Sequence, residues 1–259
     1  MSAQVAFSPR VAAVAGAAAG FTPATKQELE RAALTRRFDR KFLLDLAEAA
    51  SVVSAAGRDY HVVLANGERF ALYDTIYFDT PSLRFYHDHR RGRRPRVKLR
   101  IRNYVDRGLS MLELKVKNAR GETQKDRWER PEMTSDLSET DVAHLREARP
   151  GLFSEGELVA AARTVFYRLM LINASSVERA TLDFGLSLSR GGDHCALDGT
   201  VVVEVKDGGR GARSPLVSAL RQYGARALPF SKYCMAVALL GHERANAFRP
   251  ALRAIEGGR

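Results

Sequence analysis

Polar and apolar positions alternate strictly over two neighbouring stretches of the chain, Arg94–Tyr104 and Leu109–Lys117. Side chains on a strand point to opposite faces with period two, so both stretches read as β-strands, joined by a short turn at Asp106–Gly108. Thr123–Glu129 repeats the pattern after Gly121, and Arg37–Leu43 alternates well enough for a first strand. Asp45–Ala56 has the Asp start and the Ala, Leu and Glu content of a helix. Two apolar stretches, Tyr60–Leu64 and Phe70–Phe78, flank Asn66-Gly67, a dipeptide that predicts a hairpin. Ser138–Arg149 reads as a helix stopped by Pro150-Gly151, and Glu155–Ala162 as a second one. Strands follow over Val165–Ile172, Val177–Leu182, Leu186–Ser189 and Thr200–Lys206. Ser214-Pro215 opens a helix through Tyr223, and Ser231–Leu240 forms the last. No internal repeat and no Pro/Ser linker divides the chain, which predicts one antiparallel sheet system with helices outside it.

Parity then sorts the side chains. In Arg96–Arg102, the residues Arg96, Lys98, Arg100 and Arg102 share one face, about 7 Å apart along the strand, while Val97, Leu99 and Ile101 share the other. Glu113, Lys115 and Lys117 repeat the arrangement opposite Leu112, Leu114 and Val116. Lys125, Arg127 and Glu129 follow it, as do Arg179, Thr181 and Asp183, then Glu204 and Lys206, and Arg37, Asp39 and Lys41 at the start. A solvent face explains any one of these strands. Six strands with a charged stripe, one holding four cations in succession that repel each other, point instead to a closed sheet whose charged face lines the interior. Such an interior requires a polyanion and water, and phosphate chains suit it, because Arg forks bind phosphate oxygens bidentately and Lys supplies point charges.

Composition localises the charge. The 259 residues hold 41 Lys+Arg and 30 Asp+Glu, a net +11, and Arg84–Arg107 alone carries ten cations against Asp88 and Asp106. A hydrophobic content of 45% excludes a disordered polycation. No apolar run reaches the 18 residues of a membrane-spanning helix. Cys195 and Cys234 are too few for a disulfide framework or a cysteine zinc site. Residues 1–24 read as a flexible tail rather than a secretory signal, residues 25–243 as the folded domain, and residues 244–259 as a C-terminal tail. The acids of the charged stripe suggest hard oxygen ligands for Mg²⁺ or Mn²⁺ beside phosphates, with Glu204 and Glu113 the metal candidates. For Asp39 and Asp183 a salt-bridge role weighs equally.

The pieces Arg37-x-Asp39-x-Lys41-Phe42, Ile76-Tyr-Phe-Asp-Thr80, Lys98-Leu-Arg100-Ile-Arg102-Asn-Tyr104, Glu113-Leu-Lys115-Val-Lys117, Lys125-x-Arg127, Phe166-Tyr-Arg168, Glu178-Arg179-Ala-Thr181-Leu-Asp183, Glu204-Val-Lys206 and Ser231-Lys232-Tyr233 occur in this order. Together they resemble the VTC-type polyphosphate polymerase domain of the triphosphate tunnel metalloenzyme, or CYTH-like, superfamily, over about residues 36–240. The resemblance implies an α+β fold, a closed eight-stranded antiparallel β-barrel (the triphosphate tunnel) with flanking helices. It further implies an ATP-dependent polymerase that transfers the γ-phosphoryl group to a growing polyphosphate chain, with Mn²⁺ or Mg²⁺ on Glu204. The usual Glu-x-Glu-x-Lys opening is reduced here to Asp39, which disfavours a two-metal triphosphatase or cyclase.

On this reading Arg100, Arg102, Lys115, Lys117 and Lys232 act on the transferred group. Arg37, Lys41, Arg96, Lys98, Lys125, Arg127, Arg168, Arg179, Lys206 and Ser231 hold the substrates, ATP and inorganic polyphosphate. Such catalysis is positioning and charge neutralisation, because the acceptor oxygen is already anionic. The chain lacks a Gly-x4-Gly-Lys-Ser/Thr loop, a His-Glu-x2-His zinc helix and a Gly-x-Ser-x-Gly elbow. His87 and His89 read as solvent-exposed loop residues among arginines. Sequence-specific nucleic acid is disfavoured, since the cations lie on several strands and few aromatics accompany them. A tunnel-fold triphosphatase or polyphosphatase, and a non-catalytic polyphosphate- or nucleic-acid-binding module, are the alternatives. Use of ATP implies a cytoplasmic location, and a membrane-protein partner is left open by the sequence. The arginines flanking the basic strand, Arg84, Arg90, Arg91, Arg93, Arg94 and Arg107, read as loop residues forming an electrostatic funnel at the tunnel mouth.

Overall fold

Asp45 ends the first strand, β1 (Phe38–Asp45), and its side chain accepts the backbone N–H of Glu48 at 2.7 Å, so the chain turns at once into helix α3 (Leu46–Ala56). The computed structural model describes residues 9–33, 38–153, 158–208 and 214–257. Helices α1 (Pro9–Ala18) and α2 (Lys26–Arg31) precede β1. After α3 come β2 (Tyr60–Val62), β3 (Phe70–Asp79), α4 (Arg84–Arg91), β4 (Arg96–Tyr104), β5 (Leu109–Lys117), β6 (Thr123–Arg130) and α5 (Glu139–Ala148). The remainder is β7 (Val159–Asn173), β8 (Arg179–Arg190), β9 (Asp193–Leu197), β10 (Thr200–Asp207), α6 (Pro215–Gln222), α7 (Lys232–Leu240) and α8 (Arg249–Glu256).

All the strand pairs are antiparallel, in the order β1-β10-β8-β7-β3-β4-β5-β6, with β2 attached to β7 and β9 to β8. The expected closed eight-stranded barrel is therefore corrected to an open sheet, of ten strands among the described residues, in which β1 and β6, the ends of the path, do not pair. Each end strand has a single paired neighbour among the described residues, β10 for β1 and β5 for β6. The sheet nevertheless curls enough for the charges of Asp39 and Lys41 on β1 and Glu204 on β10 to act on the Lys115 ammonium of β5.

The apolar faces of the strands pack outward under helices. Phe42, Leu44, Leu169, Leu171, Leu182, Val203 and Val205 form one core with Val52 and Val53 of α3 and Leu216 and Leu220 of α6. Val97, Leu99, Ile101, Leu112 and Leu114 form another with Phe85 and Leu145. A third cluster lies at one end of the concave face, where Tyr233, Cys234 and Val237 of α7 meet Leu43, Tyr77, Phe166 and Val202.

Several local expectations are revised. Asn66-Gly67 does form a tight turn, with φ of 50° and 84° and an Ala65–Glu68 bridge, but β2 pairs with β7 rather than β3. The helix expected from Glu155 is absent from Val159 onward, where the chain is already in β7 against β3. The strands expected at Val177–Leu182 and Leu186–Ser189 are one strand, β8. The segments expected as tails hold α1, whose Val14 and Ala18 are fully buried in the α3 core, and α8, whose Ala251 is buried against the α7 cluster. The stretch from Arg84 to Arg91 is a helix and not a loop, so Arg84, Arg90, Arg91, His87 and His89 all lie on α4. Both histidines are half-buried.

Candidate functional site

The register across β4, β5 and β6 arranges the concave face in rows. Arg96 stands opposite Lys117, which faces Thr123. Lys98 stands opposite Lys115, which faces Lys125. Arg100 stands opposite Glu113, which faces Arg127, and Arg102 opposite Met111, which faces Glu129. Directly opposed residues on neighbouring strands have Cβ atoms about 5 Å apart, so each row is a unit of interaction.

In the Arg100–Glu113–Arg127 row one acid is shared among several cations. Glu113, 2% exposed, accepts from Arg100 Nε at 2.6 Å and Lys125 Nζ at 2.8 Å, and pairs with Arg127 at 3.0 Å and Arg102 at 3.9 Å. Burial alone would raise its carboxyl, but the surrounding cations hold it far below the usual carboxylate range. The lysine row is different. Lys98 donates to Ser231 Oγ at 3.0 Å and, like Lys115, Arg96 and Lys117, has no ion pair among the described residues. Burial and neighbouring cations push the ammonium groups of Lys98 and Lys125 down to about 8 and that of Lys115 in the same direction, although Glu113 pulls Lys125 back part of the way.

On the other wall, Arg168 of β7 grips Asp183 of β8 bidentately, at 2.6 and 2.7 Å, while lying 4.9 Å from the centre of the Tyr73 ring. Lys232 donates to the same Asp183 and sits 4.1 Å over Phe166. Arg168 and Lys232 outweigh the effect of burial and hold Asp183 at about 2. Glu204 of β10 binds Lys41 at 2.9 Å and Lys206 at 2.5 Å, and Arg179 lies opposite Lys206 in the β8–β10 register. Asp39 also stands opposite Lys206, across the β1–β10 pair.

The end of the site is fixed by one buried acid. Asp79, at the end of β3, accepts the backbone N–H groups of Thr80 at 2.7 Å, Phe85 at 2.9 Å and Tyr86 at 2.9 Å, and also the Tyr233 hydroxyl. It thereby holds the first turn of α4, whose own N-cap residue Leu83 offers no side-chain oxygen. The phrases Ile76–Thr80 and Ser231–Tyr233 are thus two halves of one joint. Ser231 caps α7 by accepting from Cys234 N, and brings its hydroxyl to Lys98.

The sequence-predicted residues are therefore brought to one concave face, apart from Arg37, which lies outside the described residues. Their grouping differs from the expected one: Arg100 and Arg102 gather round Glu113, while Lys98 and Lys115 make no ion pair among the described residues, although the charges of Asp39 and Glu204 act on Lys115. Four cations surround the Glu113 carboxylate, which serves them as a counter-charge in this structure. Among the described residues no three His, Cys, Asp or Glu side chains are grouped to hold a metal. Glu204 offers a single carboxylate, which fits an ion that takes its other ligands from phosphate oxygens and water. Two residues escaped sequence reasoning. Tyr77 packs on Tyr233 at 5.4 Å, and although burial would raise its phenol, Arg100, Arg102, Lys232 and Lys98 pull it below its usual value. The in-phase position of Tyr77, opposite Arg100, was the available signal. His89 was masked by its loop assignment.

The family model described as VTC domain matches residues 36–241. No curated protein matches the chain. Among solved structures, the chain is similar to a Bacillus halodurans protein described as a candidate adenylate cyclase. The two share 16% identity over 76% of this chain and 94% of that one, with a TM-score of 0.44. It is also similar to a Hippeastrum protein, HpAC1, described as a candidate adenylyl cyclase with a dominant triphosphatase activity. Here identity is 17% over 77% of this chain and 94% of that one, with a TM-score of 0.45.

Proposed function

The chain belongs to the VTC domain family, and from its lining we propose that it is an ATP-dependent polyphosphate polymerase, transferring a γ-phosphoryl group to the end of a phosphate chain held on the concave face. The observation that carries this reading is the row Lys98–Lys115–Lys125, three lysines directly opposed across three strands, two of them without any ion pair among the described residues. Like charges in register destabilise a sheet, so the row is explained by an anion that lies across it. A phosphate chain carries a charge on every unit and suits a ladder of cations better than a single carboxylate does.

In this reading Lys98, Lys115 and Lys117 bind the triphosphate, and Arg100 and Arg102, held in orientation by Glu113 and Thr75, neutralise charge on the transferring group. The Arg102 Nε to Thr75 Oγ1 distance is 3.3 Å. Arg168, Lys206 and Lys232, each tethered to an acid, hold the acceptor or leaving chain, together with Lys41, Arg179 and Ser231. Glu204 is the residue that would hold Mn²⁺ or Mg²⁺, which when bound would lower the repulsion between phosphate oxygens. The acceptor oxygen is anionic and needs no base, so rate enhancement comes from alignment and fixed positive charge.

Incubation with ATP and Mn²⁺ is expected to give ADP and nuclease-resistant phosphate chains in equal phosphoryl amounts. Orthophosphate release without chain growth would replace the polymerase with a hydrolase, and absence of both reactions would leave a binding module.

A further inference from the structure

We propose that His89 of α4 is a further phosphate-contacting residue of the basin, completing a ring with Lys41, Arg96, Lys98 and Lys115. The inference rests on the reading of that basin as a phosphate-chain site.

Three observations place it there. The Nδ1 atom of His89 is buried and has no hydrogen-bond partner. Its ring is set 6.0 Å from that of Phe248, which fixes one side of the imidazole. His89 lies one turn after Tyr86, and the Phe248 ring that both meet belongs to the cluster with Tyr77, Phe166 and Val202 at the end of the concave face, while α4 itself packs on β4; the charges of Lys98, Arg96, Lys41 and Lys115 act on the imidazole from there. A buried polar nitrogen without a partner costs stability, and the four cations disfavour the protonated ring until an anion offsets them.

The acids near α4 are committed elsewhere. Asp79 on β3 holds the start of the helix and the Tyr233 hydroxyl, and Glu243 pairs with His87 at 3.5 Å. The other titratable or charged groups on elements packed against α4 are Tyr73, Asp74 and Tyr77 on β3, Arg100, Arg102 and Tyr104 on β4, and Lys232, Tyr233 and Cys234 on α7. On its own helix, Asp88 and Arg90 flank His89, and Arg90 donates to Asn246 at 3.2 Å. Burial, and then the four cations, keep the imidazole neutral by pushing it down to about 3. A phosphate chain reverses the sign of the local field, so the ring gains affinity for a proton and an N–H to donate. By reciprocity, whatever the chain does to proton affinity, the proton does to chain affinity.

The test is a histidine-resolved NMR titration of the full chain from pH 7.5 down to the lowest pH at which it stays folded, with and without saturating tripolyphosphate, His89 being assigned by its loss in His89→Gln. We expect the His89 midpoint to rise by at least one pH unit with tripolyphosphate. We also expect at least a tenfold gain in tripolyphosphate affinity on acidification to be lost in His89→Asn, which keeps a donor but cannot take a proton. Binding of tripolyphosphate to the parent with the His89 midpoint unmoved overturns this inference alone. Failure of the parent to bind tripolyphosphate overturns the basin reading and this inference with it.

Discussion

Replacing Glu113 by Gln separates a counter-charge from a metal ligand. In the parent, one carboxylate that is 2% exposed compensates Arg100, Lys125 and Arg127 within 3.0 Å and Arg102 at 3.9 Å. Removing one partner of a buried ion pair typically costs about 3–5 kcal/mol. Lys125 and Arg127 are 36% and 44% exposed at their side chains, so solvent screens part of the released repulsion and the lower figure, about 3 kcal/mol, applies. At about 2–4 °C per kcal/mol for a chain of this size, the melting temperature should fall by about 6–12 °C. The assay is thermal unfolding at pH 6.5, where the lysines keep their charge, with and without tripolyphosphate and no metal. The freed cations bind the anion more tightly in Glu113→Gln, so tripolyphosphate should raise its melting temperature more than the parent's, against about 2.7 kcal/mol of stabilisation at a hundredfold excess over Kd. A variant that melts within about 2 °C of the parent, below one kcal/mol on the same scale, refutes the counter-charge role. So does a variant that gains less from tripolyphosphate than the parent does.

Lys115→Met is expected to weaken tripolyphosphate binding by about 10–100-fold, the worth of one or two charge-assisted contacts, as measured by calorimetry. An unchanged Kd would remove the lysine row from the site. Affinity should also depend on pH with a definite sign: Lys98 and Lys125 lose protons near 8 in the empty protein and regain them against an anion. Tripolyphosphate affinity should therefore hold steady, as far as these two groups go, below about pH 7 and fall as pH rises through 8. Asp79→Asn replaces one acceptor oxygen by a donor beside three backbone N–H groups and the Tyr233 hydroxyl. Urea unfolding should show a loss of about 2–4 kcal/mol, and a loss under about 0.5 kcal/mol would exclude Asp79 as the joint between α4 and α7.

Period-two patterning made the inner face of β4 and β5 readable, because on a strand parity alone decides which residues share a side. The N-terminus of α3 was readable for a similar reason, since Asp45 and Glu48 cap it within three residues. The helix α4 was not, because its cap comes from Asp79, which lies outside any local capping pattern, and Leu83 adopts a left-handed φ of 54° just before it. The start of β7 is rich in alanine and reads as helix; pairing with β3 overrides that propensity. Parity placed Glu113 and Glu204 among the cations but not the number of cations on each. That depends on strand register, which sets Glu113 between Arg100 and Arg127 while leaving Lys98 facing Lys115. Closure of the sheet is likewise a property of its curl, which no single strand encodes.

The unpaired margin between β1 and β6 has a topological meaning. A ring stitched by hydrogen bonds all the way round admits a long polymer only by one of its ends, and each association is then a threading event. A curled ribbon admits the polymer sideways, since parting β1 from β6 breaks no ladder bond among the described residues. On the proposed function, an acceptor chain far longer than the protein, or one whose ends are both occupied, can still be engaged and let go without being drawn through along its length.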